Sequence, residues 1–308
     1  MSGFVDEKYI KNHLINNDSL FNYIYVIEQN FDTVPNTHNH YGASINYQDL
    51  KELRQEFLDE LYDSIVDWVY SSEKYKELKD IAISNGKTDA AASSEISRRA
   101  REKFRANKNS DNILIQGQLG ELLLFHFIQR LQGAVPLLRK MKITTSPEHE
   151  RFGADAIHFK YEKEKPIIIL GEAKTYTSNY KFNQAFEDAI TSILKTYDNH
   201  RKEINLYVHE DFLEPEMNKI AEQYINNKLE NVEVHLVCIV VYNETSDIKG
   251  NSREEIIQKI TNVIENKYAN FDKKKIDTET NSILKRITYI VFPIWKLDEL
   301  AKTFQQMI

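Results

Sequence analysis

The chain has 308 residues, a formal net charge of −7 and 41% hydrophobic residues, with 17 tyrosines and 15 phenylalanines. This composition excludes a disordered chain and allows one large domain or two of ordinary size. The single cysteine, Cys238, excludes a disulfide framework and a cysteine-rich zinc site. The acidic balance is not typical of a protein that binds nucleic acid unaided. No apolar run reaches the length of a membrane span and no signal-peptide pattern is present, so we expect a cytoplasmic protein without a membrane partner.

The first 110 residues predict a smaller α+β region. Residues 21–31, FNYIYVIEQNF, have the composition of a strand. Apolar side chains then recur at steps of three and four residues and predict one helix of about five turns: Leu50, Leu53, Phe57, Leu61, Ile65 and Trp68. Residues 84–112 lose this periodicity, so we interpret them as a connector and place a domain boundary near residue 110.

A basic stretch lies inside this connector. Residues 98–108, RRAREKFRANK, carry six basic side chains against one acidic side chain. A solvated helix or linker face is the simpler interpretation. The alternative is a patch that contacts phosphate or docks a partner.

Residues 111–308 alternate between helix and strand patterns and predict an α/β domain. A buried helix is expected over 113–131, strand-like segments at 137–145 and 153–161, a polar turn at 162–166 and a strand over 167–174. Further helices are expected around 183–200, from Pro215, and after the capping pair Ser252 and Glu255. The segment 232–242 is apolar on both faces and predicts a central strand, and 286–295 predicts the last strand.

The stretch 167–176, IIILGEAKTY, contains the candidate site. Side chains alternate across a strand, so Glu172 and Lys174 point to the same face. Asp155, in FGADAIHF, begins the preceding strand, and a tight turn between the two strands would bring it close to Glu172 and Lys174. Two converging carboxylates suit Mg²⁺ (or Mn²⁺), and a neighbouring lysine can orient water and stabilise developing negative charge. The residues therefore predict metal-assisted phosphodiester hydrolysis.

This constellation resembles the PD-(D/E)XK nuclease superfamily, which carries an acid on one strand and an acid, any residue and a lysine on the next. Asp155 supplies the first acid, although Ala154 stands where the superfamily often has proline. The superfamily often adds a glutamate on the preceding core helix, and Glu121 in GQLGELLL occupies that place. The resemblance implies a restriction-endonuclease-like fold, a mixed central sheet flanked by helices. It also implies metal ligation by Asp155 and Glu172, with Glu121 as a supporting metal ligand or a base and Lys174 as the fourth catalytic residue. Glu121 taken by itself also fits a partly exposed helix residue.

Four segments together look like the HamA family, the nuclease subunit of the Hachiman anti-phage system: GELLLFHFI, FGADAIHF, LGEAKTY and AFEDAITSI. Their density is highest over residues 113–200. The resemblance implies a bacterial defence nuclease that acts on DNA and is restrained by a helicase partner, HamB. Two alternatives stay open: a stand-alone restriction or repair endonuclease, and an inactive nuclease-fold scaffold or regulatory subunit.

Several other polar residues lie near these motifs. Gln184, on the helix after the motif, predicts either a substrate contact or a water-facing side chain. His126 and Cys238 are expected in the core, and strand parity turns His158 away from the site. His38 and His40 could bind a metal, but no further ligand of suitable spacing accompanies them, so a polar loop is expected.

Overall fold

The computed structural model describes residues 6–15, 18–29, 39–104, 113, 115–139, 153–177, 182–208, 215–271, 277 and 279–308. In these ranges the helices are α1 (Glu7–His13), α2 (Asp18–Asn22), α3 (Arg54–Asp63), α4 (Ile65–Val69), α5 (Ser72–Ser84), α6 (Asp89–Arg101), α7 (Gln116–Gln132), α8 (Phe182–Val208), α9 (Pro215–Ile225), α10 (Arg253–Ala269) and α11 (Leu297–Met307). The strands are β1 (Ile24–Gln29), β2 (His40–Ile45), β3 (Tyr47–Gln48), β4 (Lys51–Glu52), β5 (Val135–Leu138), β6 (Ala156–Glu162), β7 (Lys165–Tyr176), β8 (Glu233–Glu244) and β9 (Ile287–Trp295). A 3₁₀ helix, Ser282–Arg286, leads into β9.

A seven-stranded mixed sheet, in the order β1-β2-β9-β8-β7-β6-β5, forms the centre of the protein. Strands β2, β9, β8 and β7 are mutually parallel, whereas β1, β6 and β5 pair antiparallel at the two sides. Strand β8 occupies the middle position, which confirms the prediction from its apolar faces.

Helices cover both faces of the sheet. One core contains side chains of α8, α9 and α10 against the sheet, and the other contains side chains of α3, α4, α7 and α11. Alternation along the strands divides their residues between these cores, so Ile168 and Leu170 face α8 while Ile167 and Ile169 face α7. The protein is therefore a three-layered α/β structure.

The N-terminal residues contribute to this same sheet. Strand β2 pairs with β9, and both cores contain side chains from either side of residue 110. The boundary near residue 110 and its accessory region stay predictions, and the described residues show one sheet running across that position. No helix in the described part of the chain has the length and apolar character needed to cross a lipid bilayer.

The predicted five-turn helix is two helices. The chain breaks between α3 and α4 at Ser64, whose hydroxyl donates to the carbonyl of Leu61 at 2.8 Å and contacts His126 Nε2 at 2.9 Å. Leu50, expected on the buried stripe, lies in the turn between β3 and β4 and is 50% exposed. The apolar spacing was correct for the buried face, but a serine that bonds its own backbone ended the helix.

The connector interpretation of residues 84–112 was wrong over 89–101, which form α6. Thr88 caps this helix by accepting from the amide of Ala91 at 3.3 Å. Ala92, Ile96 and Ala100 repeat every four residues and are buried. Alanine has a high helix propensity, but its side chain is only weakly hydrophobic. The apolar stripe of α6 was therefore not recognised from the periodicity of large apolar residues.

Several local predictions are confirmed. Pro215 opens α9, and the Ser252 hydroxyl accepts from the Glu255 amide at the start of α10. His126 and His158 are buried, and burial lowers the pKa of each to about 3. His40 is different, because it is a buried β2 residue whose Nδ1 accepts from the Tyr289 amide at 3.1 Å, so the polar-loop prediction was wrong. His38 lies outside the described residues.

Candidate active site

The hairpin formed by β6 and β7 positions the first acid. Lys163 and Glu164 form its turn with φ angles of 50° and 64°, and the ladder runs from Glu162↔Lys165 to Ala156↔Gly171. One residue beyond the ladder, the Asp155 amide donates to the Gly171 carbonyl at 3.1 Å. The Asp155 carboxylate in turn accepts from the amide of residue 173 at 2.9 Å through Oδ2. Asp155 is thereby held at the open end of the hairpin, beside the motif at 172–174.

Glu172 and Lys174 share one face of β7, as strand parity predicted. Lys174 Nζ donates to Glu172 Oε1 at 2.8 Å, and the Ser192 hydroxyl of α8 donates to the same oxygen at 2.7 Å. The other oxygen of Glu172, Oε2, is buried and has no hydrogen-bond partner among the residues that the structure describes. The Glu172 side chain is 4% exposed and that of Lys174 is 27% exposed, so the lysine links the buried acid to the surface.

Asp155, Glu172 and Lys174 form a corner at the open end of the hairpin. The electrostatics of this corner oppose full ionisation of Glu172. Burial and the neighbouring Asp155 raise the pKa of Glu172 to about 7, against the opposing effects of Lys174 and Ser192. Burial by itself lowers the pKa of Lys174, but Glu172 and Asp155 outweigh it and the net shift is upward. Near neutral pH the lysine is therefore protonated while Glu172 is divided between its acid and its carboxylate form.

Helix α8 holds the corner at two positions that sequence reasoning missed. Ser192 anchors Glu172, and eleven residues later Glu203 accepts from the Ala154 amide at 3.0 Å. Gly153 admits the Glu203 carboxylate, since a Cβ there would lie 2.3 Å from it and the φ angle is 144°. The sequence features that could have predicted these contacts are Gly153 and the small residues of α8 that face β7 and β8.

The structure does not gather Glu121 with the two strand acids. Glu121 is partly buried on α7, and α7 packs against the face of β7 opposite to Glu172 and Lys174. Its neighbour Gly120 lies against residues 173 and 175 of that opposite face. Among the described residues, no group of three or more His, Cys, Asp or Glu side chains has the arrangement of a metal site. A metal-binding role for Glu121 stays a prediction.

The remaining sequence candidates lie outside the corner. Gln184 is exposed in the first turn of α8, and His158 faces α7, where its ring contacts Phe125. In the described part of the basic stretch, Arg98 pairs with Glu102, as expected for a solvated helix face. The stretch beyond residue 104 lies outside the described residues.

The Asp155 and Glu172 pair fits a hard divalent cation. Mg²⁺ retains several waters and is commonly bound by only one or two protein carboxylates. The unpaired, buried Oε2 of Glu172 is the kind of atom that a cation would satisfy. Two carboxylates and a protonated lysine thus lie together at a partly exposed corner, and the Oε2 atom of Glu172 is available to bind a cation.

The fold and the site together define a mixed α/β protein with a seven-stranded sheet and an Asp, Glu and Lys cluster at the end of a central hairpin. The HamA family model matches residues 19–308, and the chain belongs to this family. Membership supports a role in Hachiman antiviral defence. A comparison with curated proteins gave no match.

Proposed function

We propose that this protein is a metal-dependent DNA nuclease of the Hachiman defence system, with a restriction-endonuclease-like PD-(D/E)XK fold. The observation that carries the proposal is the meeting of Asp155, Glu172 and Lys174 at one corner, with the buried Oε2 of Glu172 unpaired. An unsatisfied buried carboxylate oxygen destabilises the fold, and this one belongs to an acid that lies beside a second carboxylate and a lysine. Sites of reaction tolerate such a cost.

Asp155 and Glu172 would hold Mg²⁺ or Mn²⁺. The metal supplies positive charge that polarises a phosphoryl oxygen and makes a nearby water more acidic. Ser192 and Lys174 both donate to Oε1 of Glu172, which aims the carboxylate and leaves Oε2 as the ligand atom. Because the ligand must be the carboxylate form, metal affinity should rise as the pH passes through the Glu172 pKa of about 7.

Lys174 acts as a cation in this mechanism. Its raised pKa keeps the ammonium protonated near neutral pH, so it cannot take a proton from water in this arrangement. Its partly exposed position suits an ammonium that orients water and stabilises the negative charge developing on a phosphate. The role of the lysine is therefore electrostatic.

DNA as substrate and a HamB-like helicase as partner belong to the same proposal. The net charge of −7 implies weak affinity for DNA without help. On helix α6, Arg98 and Arg99 are engaged by glutamates, and Arg101 lies 3.4 Å from Asp63, which further reduces the cations available to phosphate. A helicase that presents DNA to the corner would supply what this surface lacks.

A cleavage assay tests the proposal. Wild type, Glu172→Ala and Lys174→Ala are incubated with supercoiled plasmid and linear DNA in Mg²⁺ and in EDTA, with and without the helicase of the same system. We expect Mg²⁺-dependent cleavage by wild type and at least a hundredfold loss in both variants. The matched controls are Glu222→Ala and Lys219→Ala, which replace exposed residues of α9. Folded Glu172 and Lys174 variants that cleave as fast as wild type would refute the site.

A further inference from the structure

A second concave surface lies at the other end of the sheet. It is a cavity of about 680 Å³ at the amino-terminal ends of β7, β8 and β9, bordered by the last turn of α7. Lys165 of its wall precedes Glu172 by seven residues on one strand, which corresponds to roughly 23 Å. The cavity is thus separate from the Asp155, Glu172 and Lys174 corner.

Its wall is strongly cationic in a protein that is acidic overall. Five basic side chains face two carboxylates there, Glu162 and Glu233. Both carboxylates are already engaged: Lys160 lies 2.9 Å from Glu162, and Glu233 contacts Lys165, His235 and Arg286. These contacts, with Lys165 first, lower the pKa of Glu233 to about 2, so it stays ionised and organises the cations around it.

Two further lysines of the wall lie outside these close ion pairs. In the described part of the chain, neither Lys163 nor Lys285 forms a salt bridge, and both side chains are exposed to solvent. Lys163 sits on the hairpin turn and Lys285 on the 3₁₀ helix before β9, so they approach the cavity from different elements. Positive charge therefore remains after the internal pairs are satisfied. The carboxyl end of α7 also borders the cavity, and the helix dipole gives it a partial negative charge that repels anions. This charge is only about half an elementary charge, less than that of the two lysines.

The rest of the wall suits a ligand larger than a simple ion. Tyr41 and His235, 8% and 9% exposed, provide the edges of two rings, Leu131 provides apolar contact, and Gln132 provides an amide group. The volume is within the range of sites that enclose small organic ligands. Cations beside ring and apolar surfaces match phosphate joined to a base better than they match a chain of carboxylates.

We propose that this cavity binds a phosphate-bearing ligand of nucleotide size, either a free nucleotide or the terminal nucleotide of a strand. Lys163 and Lys285 contact the phosphates, and the Tyr41 side of the cavity receives the base. The site is distinct from the proposed nuclease corner and does not depend on its activity.

Isothermal titration calorimetry on the full chain in EDTA, at low salt, tests this site. The probes are ATP, a 5′-phosphorylated trinucleotide, pyrophosphate and a short poly-glutamate peptide. We expect saturable binding of ATP or the trinucleotide by wild type, and about tenfold weaker binding after Lys163→Glu with Lys285→Glu. The tighter of the two probes identifies the source of the nucleotide. Glu172→Ala should bind as wild type does, since it changes only the corner.

The matched control is Lys219→Glu with Lys228→Glu, which reverses two exposed lysines away from the cavity. It should retain wild-type affinity, and thermal melting should show both double variants folded. Absence of saturable binding by wild type would overturn the proposal, as would equal affinities for the two double variants. Poly-glutamate binding as tight as ATP would also overturn it, because the cavity would then recognise charge without phosphate.

Discussion

Replacing Glu172 by glutamine should make the metal-free protein more stable at alkaline pH. Glutamine keeps the shape of the side chain, and its Oε1 can still accept from Lys174 and Ser192. It removes the ionisation and puts an uncharged amide nitrogen in the place of Oε2. In the folded protein the pKa of Glu172 is about 7, against its usual value of 4.5. Each pKa unit corresponds to about 1.4 kcal/mol, so ionising Glu172 in the fold costs about 3 kcal/mol.

The direction of the change in unfolding free energy with pH follows from the number of protons that each state binds. Between pH 4.5 and 7 the folded protein holds a proton on Glu172 that the unfolded chain has lost. The stabilisation is complete below pH 4.5 and is lost as the pH rises through 7. The free energy of unfolding of wild type should therefore fall by about 2 to 3 kcal/mol between pH 5 and pH 8, relative to Glu172→Gln. Urea denaturation of both proteins in EDTA at these pH values measures the difference.

Mg²⁺ should reverse the order of stability of wild type and Glu172→Gln at pH 8. Mg²⁺ stabilises whichever protein binds it, so wild type should gain stability in millimolar Mg²⁺ and Glu172→Gln should gain little. Glu222→Gln, an exposed change on α9, serves as control and should follow wild type at every pH. The reasoning fails if wild type and Glu172→Gln show parallel pH profiles in EDTA, since the acid would then not be held in an unfavourable environment.

Two further predictions concern the scaffold around this corner. Ser192→Ala removes a hydrogen bond to ionised Glu172, so Mg²⁺ affinity at pH 7 should fall about tenfold and recover in part at pH 9. Calorimetry measures this, with the exposed neighbour Thr191→Ala as control, and an unchanged affinity at pH 7 would contradict the role of Ser192. Gly171→Ala would place a Cβ 2.9 Å from two side chains of α7 and should destabilise the fold by about 1 to 3 kcal/mol. Gly117→Ala, on α7, would place a Cβ more than 4 Å from any other described residue that it could meet, and it should stabilise the fold by up to about 1 kcal/mol. Thermal unfolding that ranks the two variants the other way would refute the packing argument.

Local patterns were enough to predict that Asp155, Glu172 and Lys174 lie together. Strand parity placed Glu172 and Lys174 on one face, and the polar turn before Pro166 implied the hairpin that brings Asp155 to them. These inferences worked because they depend on contacts between residues close in sequence. Glu121 shows the limit, since its place in an apolar helix could not reveal which face of the sheet that helix would cover.

The sequence by itself determined the α/β class, the order of most helices and strands beyond residue 113, and the juxtaposition of Asp155, Glu172 and Lys174. Only the tertiary structure decided that β1 and β2 join the same sheet, that Ser192 anchors the buried acid, and that the lysines of β6, β7 and the 3₁₀ helix surround a cavity. Periodicity and turn chemistry are local and can be read along the chain. The pairing of distant strands and the docking of helices depend on shape and buried area summed over the whole fold, which no single segment encodes.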